Sequence, residues 1–218
     1  MKKIAFIFIL LTTLTKPAMA QIGFGPEVGV NLANLTTKFG GNAPVNTLAA
    51  GLKAGFLIDF HLSGRFSVQT GPYISMKGCT SEIADANNYK SSYTLSFNYL
   101  EVPINLIYKH GKPGHNHIFV GGGAYYGYLL HASRGDVDYH IGSDKALDQF
   151  TSTDFGVNGM LGFEHKKGFL IRANYSYGLA NVVTGGDADN SATHTVIGVT
   201  VGWLFHSKGD GVWGNRFW

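Results

Sequence analysis

The chain predicts an all-β fold, an eight-stranded antiparallel up-and-down transmembrane β-barrel. Three observations carry that expectation. A two-residue alternation of apolar with small or polar residues recurs eight times; the connections between the alternating segments are short and long by turns; and aromatic residues gather at the ends of the apolar faces. Successive side chains of a strand point to opposite faces, so each such segment is a ribbon with one apolar and one polar side.

Taken in order, the first element is a leader. Lys2 and Lys3 precede the apolar run Ile4 to Leu11, and Pro17-Ala18-Met19-Ala20 offers a small-residue cleavage site. That pattern reads as a secretory signal peptide, residues 1–20, cut after Ala20. The run is too short for a membrane-spanning helix, which needs ~20 residues. Lys2, Lys3 and Lys16 leave with it, so the 17 basic residues fall to 14, against 14 acidic ones. The mature chain is then near neutral and lacks the clustered basic face of a nucleic-acid binder. Among 30 glycines none marks a collagen-like triplet period, and abundant Phe, Tyr, Val, Ile and Leu exclude a disordered chain. The lone Cys79 excludes a disulfide framework and reads as an inert small residue.

The barrel domain is expected over 21–206, with strands at about 22–35, 48–62, 65–78, 93–109, 116–131, 151–164, 168–181 and 194–206, good to ~3 residues. In the first, the even positions Phe24 to Leu32 are apolar and the odd positions Gly23 to Ala33 are glycine, carboxylate, amide and alanine. The second puts Leu52, Ala54, Phe56, Ile58, Phe60 and Leu62 on one face. The seventh does so with Phe169, Ile171, Ala173, Tyr175, Tyr177 and Leu179, and the eighth with Ile197, Val199, Val201, Trp203 and Phe205. Crossing a bilayer takes ~9–11 tilted residues, which many of these reach. Ser63-Gly64, the turn around Gly111-Lys112-Pro113-Gly114 and His165-Lys166-Lys167 are short. The connections at about 36–47, 79–92, 132–150 and 182–193 are long. Short periplasmic turns and long extracellular loops are the pattern of an outer-membrane barrel.

A soluble barrel alternates too, and volume separates the two. Eight strands enclose an interior just wide enough for side chains to fill. The glycine-rich polar face suits that narrow inside, and the bulky apolar face suits lipid. Phe24, Phe60, Phe66, Tyr108, Phe163, Phe169, Trp203 and Phe205 then form an aromatic girdle at the short-turn end. Tyr126, Tyr128, Phe155, Tyr175 and Tyr177 form a second band nearer the loops.

One stretch is specific. Tyr99-Leu100-Glu101-Val102-Pro103-Ile104-Asn105-Leu106-Ile107-Tyr108-Lys109 resembles the "YLEIPLLLKY" strand of the PorT-like outer-membrane β-barrel family of Bacteroidota. Gly51 to Gly78, ending Pro72-Tyr73-Ile74-Ser75-Met76-Lys77-Gly78, resembles the preceding hairpin of that family. The opening Gly29-Val30-Asn31-Leu32-Ala33-Asn34 resembles its first strand. The chain departs from the family pattern at Gly71, where a glutamate is common, and in the tail 207–218. The resemblance implies an integral protein of the cell outer membrane, in the porin family, and suggests an accessory role in secretion or gliding machinery.

The inward face carries Glu27, Lys53, Asp59, Gln69, Lys77, Glu101, Asn105, Lys109, Asp154, Asn158, Glu164, Arg172 and Asn174. Buried charges persist when paired and hydrogen-bonded, and both signs occur, so a plugging polar network is expected, with Glu101 and Arg172 as members. Residue counting places Lys53, Arg172 and Asn174 near mid-barrel. It places Glu27, Asp59, Glu101, Lys109 and Glu164 lower. A narrow porin-like channel for small solutes competes, although channel-forming porins use 16–18 strands.

No enzyme is expected. His131, Ser133 and Asp136, or His194, Ser191 and Asp189, offer pieces of a nucleophilic site, without a G-x-S-x-G elbow or an H-E-x-x-H motif. His115 and His117 offer two metal ligands where zinc wants three or four, and Asp136-Val137-Asp138 lacks the rest of a calcium loop, so neither metal nor cofactor is expected. The loop acids read as solvated tips able to bridge divalent ions to lipopolysaccharide. The tail 207–218, with Trp213, Phe217 and Trp218, reads as periplasmic. Phe205 or Trp218 offers an aromatic signal for the barrel assembly machinery. The expected partners are outer-membrane lipid, lipopolysaccharide, that machinery and a periplasmic or secretion-system protein; nucleic acid is not one. The expected protein is a monomer acting as membrane anchor and interaction module.

Overall fold

The computed structural model describes residues 22–39, 45–84, 90–111, 115–144, 147–186 and 189–206. The leader and the tail 207–218 lie outside the described residues. Eleven strand segments follow one another: β1 (Ile22–Phe39), β2 (Val45–Ser63), β3 (Phe66–Thr70), β4 (Tyr73–Ala84), β5 (Lys90–His110), β6 (His117–Arg134), β7 (Val137–Asp138), β8 (Thr153–Glu164), β9 (Phe169–Gly178), β10 (Asn190–Trp203) and β11 (Phe205–His206).

They make eight wall strands. β3 and β4 keep one register, opposite β2 from Ile58↔Thr70 to Gly55↔Tyr73 and opposite β5 from Thr70↔Ile104 to Tyr73↔Glu101. The ladder lapses between them because Pro72 has no N–H and Gly71 sits at φ 145°. β10 and β11 likewise share one register against β1, from Glu27↔Gly202 to Gly23↔His206. Each wall strand pairs antiparallel with its neighbours, and β1 pairs both β2 and β10, so the sheet closes on itself. Closure removes the unpaired edges that a membrane does not tolerate.

The period-2 pattern settles which side faces out. Along β9, Phe169, Ile171, Ala173, Tyr175 and Tyr177 are exposed, while Leu170, Arg172, Ser176 and Gly178 are buried. Ile104, Ile118 and Leu161, each more than 60% exposed, show the wall's outer face to be bare hydrocarbon. The lumen is tight enough that a Cβ on Gly162 would run into the Phe119 ring and Arg172 Cβ.

The wall extends further toward the loops than the alternation predicts. β1 continues to Phe39, β4 to Ala84, β5 begins at Lys90 and β10 at Asn190. These extensions include Thr36-Thr37-Lys38 and Thr80-Ser81-Glu82, polar on both faces, so backbone pairing forms them and no apolar pattern announces them.

Candidate functional site

The lumen holds the chemistry-bearing side chains. At the periplasmic end and into mid-barrel they form one continuous relay. Glu27 accepts from Arg172 at 2.6 Å, from the Tyr73 hydroxyl at 2.7 Å, and from Thr200. Arg172 also donates to Gln69 Oε1 at 3.2 Å, and Gln69 donates to Asp59 at 2.7 Å. Lys109 bridges Asp59 at 3.0 Å and Glu164 at 3.1 Å, and Glu164 meets His117 at 3.0 Å and His206 at 3.4 Å.

A second cluster lies toward the loops. Glu101 is clamped between Lys53 at 2.6 Å and Lys77 at 3.0 Å, and Lys77 reaches Asp154 at 3.0 Å. The Tyr125 hydroxyl donates to Asp154 at 3.2 Å. Lys77 Nζ stands 4.3 Å from the Tyr125 ring centre and 4.9 Å from that of Tyr99, a cation held by two π-faces as well as two carboxylates. Lys53 Nζ sits 4.9 Å from the Tyr73 ring centre, which joins this cluster to the relay below. Lys53, Lys77, Glu101 and Asp154 are all buried, and each has an opposite partner, the condition for burial.

Above the charges the lumen turns apolar. Phe97, Tyr99, Leu129 and Ala132 form one buried cluster, and Leu35, Cys79, Val182 and Ala192 another. Phe150, from the segment after β7, stands edge-on to Phe97 at 4.9 Å and to Tyr139 at 5.3 Å. Backbone bonds tie this segment to the connection between β9 and β10, from Thr151 N–H to Val182 O at 3.0 Å and from Thr184 N–H to Gln149 O at 3.1 Å. Between stopper and relay, Lys53, Asn105, Asn158 and Arg172 border a cavity of about 10 Å³, room for roughly one water.

The thirteen residues assigned to the inward face all lie on the lumen side. Ten of them make the contacts above; Asn105, Asn158 and Asn174 border the cavity, and the buried Asn105 Oδ1 accepts no bond among the described residues. Glu101 departs from the height assigned by counting, because strand tilt brings it to Lys53 and Lys77 rather than to Asp59. Tyr73, Tyr99, Tyr125 and Thr200 are lumen residues that the sequence reading passed over. Their parity along the strands is that of the polar face, and that alternation is the signal that finds them.

On the outside, Phe24 pairs with Phe205 (6.1 Å between ring centres), Phe66 with Tyr108 (5.4 Å) and Phe169 with Trp203 (6.5 Å), while Phe60 and Phe163 lie on the same outward face. The loop-side aromatics Tyr126, Tyr128, Phe155, Tyr175 and Tyr177 occupy only the adjacent strands β6, β8 and β9, a patch rather than a ring.

The pieces of a nucleophilic site do not assemble. His131 bonds Asp138 at 2.9 Å on the exposed surface. His194 is wholly buried against Phe97 and Tyr99, its Nε2 3.2 Å from the Tyr99 hydroxyl, whereas Asp189 lies exposed. Among the described residues no three His, Cys, Asp or Glu side chains converge as metal ligands. His117 shares its Glu164 oxygen with the Lys109 ammonium, which already occupies the cationic position.

A closed eight-stranded wall, apolar outside and charged within, defines an integral outer-membrane barrel. The chain belongs to the family described as Outer membrane protein beta-barrel domain, which matches residues 16–184. No curated protein matches it. Among solved structures it is similar to Ail of Yersinia pestis, at 11% identity over 85% of this chain and 99% of that one, with a TM-score of 0.43. It is also similar to Neisserial surface protein A (11% identity, 83% and 96%, TM-score 0.47) and to OprG of Pseudomonas aeruginosa (12% identity, 86% and 95%, TM-score 0.48).

Proposed function

We propose that the protein is a plugged outer-membrane barrel, a monomeric anchor whose loops and periplasmic turns engage other molecules. The observation that carries this reading is the filled lumen. Two ion-pair clusters span it, and the apolar stopper around Phe97 and Phe150 closes its loop end. A hydrated ion crossing the barrel would have to part several buried pairs, whose separation costs about 3–5 kcal/mol each. The barrel is exported by a leader cleaved after Ala20, spans 21–206, and leaves its tail in the periplasm.

The partners of this reading are outer-membrane lipid and lipopolysaccharide, the barrel assembly machinery, and a periplasmic or secretion-system protein. The resemblance of Tyr99 to Lys109 to the PorT-like family of Bacteroidota favours the last, as a secretion or gliding accessory. The second reading is a narrow channel, favoured by the charged lining itself. Single-channel recording of refolded residues 21–218 in planar bilayers separates the two, with heat-modifiable gel migration as the check of folding. Electrical silence of folded protein is expected. Steady openings of defined conductance would overturn the plug and make Lys53, Lys77 and Glu101 selectivity residues.

A further inference from the structure

The outer wall is not evenly bulky. Where β10, β1, β2 and β4 run side by side, the outward positions include Pro26, Ala54 and Pro72, three residues with little reach. The register places them together: Pro26 is opposite Phe56, Ala54 is opposite Val28 on one side and Ile74 on the other, and the Phe56 N–H donates to Pro72 O at 3.1 Å. Phe56, 57% exposed, stands up from this low floor on one flank, and the Phe169–Trp203 pair stands up on the other. The result is a groove of about 760 Å³ whose lining is almost wholly apolar.

Its depth and its charge point to one occupant. Phe169 and Trp203 belong to the aromatic set at the short-turn end, so the groove opens from that interface into the periplasmic leaflet of the membrane. Water there would face bare hydrocarbon, and a polypeptide strand would leave its backbone unpaired against a closed wall. The turn that leads directly into Phe169 carries Lys166 and Lys167, both exposed and without an ion pair among the described residues. That turn is held in place. The Lys166 N–H donates to Asn116 Oδ1 at 2.9 Å, the Lys167 N–H to His165 Nδ1 at 3.2 Å, and the Leu204 N–H, next to Trp203, to Gly168 O at 2.8 Å. These bonds fix the backbone of the turn beside Trp203, so both exposed lysines spring from the Phe169–Trp203 end of the trough, at the level of the interface where a lipid phosphate stands.

We propose that this groove is a binding site for a single anionic phospholipid of the periplasmic leaflet, its acyl chain over Ala54 and its phosphate at Lys166 and Lys167. The site is independent of whether the lumen conducts.

The refolded mature chain is transferred to nanodiscs of equal parts phosphatidylglycerol and phosphatidylethanolamine with identical chains, then released and weighed by native mass spectrometry. One retained phosphatidylglycerol, favoured at least five-fold, is expected. Lys166→Gln with Lys167→Gln, in an exposed turn, removes the preference while retention of either lipid persists. Ala54→Trp, which raises the groove floor on the lipid side, lowers retention of both lipids while heat-modifiable migration stays normal. The proposal is overturned by absence of retained lipid, by equal retention of the two lipids in the parent chain, or by a dimer mass in place of the lipid adduct. Loss of preference in the lysine variant without any effect of Ala54→Trp also overturns it, because charge alone would then explain the result. Should Ala54→Trp fail to fold, Val28→Trp on the facing strand fills the same trough and is read in the same way.

Discussion

Removing Arg172 leaves the Glu27 carboxylate buried with only the Tyr73 and Thr200 hydroxyls to answer its charge. Arg172→Met is therefore expected to destabilise the folded barrel by about 3–5 kcal/mol, the cost of stranding one half of a buried pair. The double variant Glu27→Gln with Arg172→Met removes both charges and recovers much of that loss. Urea unfolding of refolded protein, followed by gel migration, checks the difference. A double variant as unstable as the single one would show that shape, not charge, makes Arg172 matter. Lys77 belongs to the same class with a stronger constraint, since two carboxylates and two aromatic rings close on one ammonium. Lys77→Met is expected to cost about as much, with Glu101 still answered by Lys53 and Asp154 left to Tyr125. Such pairings are the part of the site that residue order cannot supply. That Lys77 faces inward follows from strand parity, but that it meets Asp154, 77 positions along the chain, follows only from the stagger of β4 against β8.

At the scale of elements, the loop between β7 and β8 is more than a solvated tip. Phe150 packs on Phe97 inside the barrel mouth, and main-chain bonds bind the segment to residues 182–184. Phe150→Ala is expected to release this cover at a cost of about 1.5–3 kcal/mol, the worth of burying one such side chain. Limited proteolysis of protein in liposomes is the measurement: faster cutting within 139–152 with an intact barrel core is the expected pattern. The apolar residues responsible, Tyr139, Ile141 and Phe150, stand in a stretch without strand periodicity among aspartates and serines. A pattern-based reading therefore takes them for incidental loop residues. β8 makes the complementary point from the wall. Gly162 faces Phe119 and Arg172, and Gly162→Val would force bulk into a filled lumen at about 1–3 kcal/mol, visible as a lower unfolding midpoint.

The whole molecule is governed by the depth at which each outward residue sits. Val199→Arg, on the lipid face near mid-height of β10, is expected to cost about 2–4 kcal/mol, whereas Phe205→Arg in the periplasmic-end girdle costs about 0–1 kcal/mol. Reversible folding into vesicles reads both, and equal costs would contradict the assigned depth. The alternation in β1, β2, β9 and β10 determined by itself that the chain is an all-β barrel, which side of each strand meets lipid, and which charges share the interior. A period of two admits no other assignment of faces once the interior is too narrow for the bulky set. Tertiary structure alone decided the rest: that Glu101 joins Lys53 and Lys77, that the Tyr73 and Tyr99 rings stand against those two lysines, that loop residues stopper the mouth, and that Pro26, Ala54 and Pro72 meet to hollow the outer wall. Those outcomes depend on shear and register between strands remote in the chain, and periodicity within one strand carries no record of its neighbour's offset.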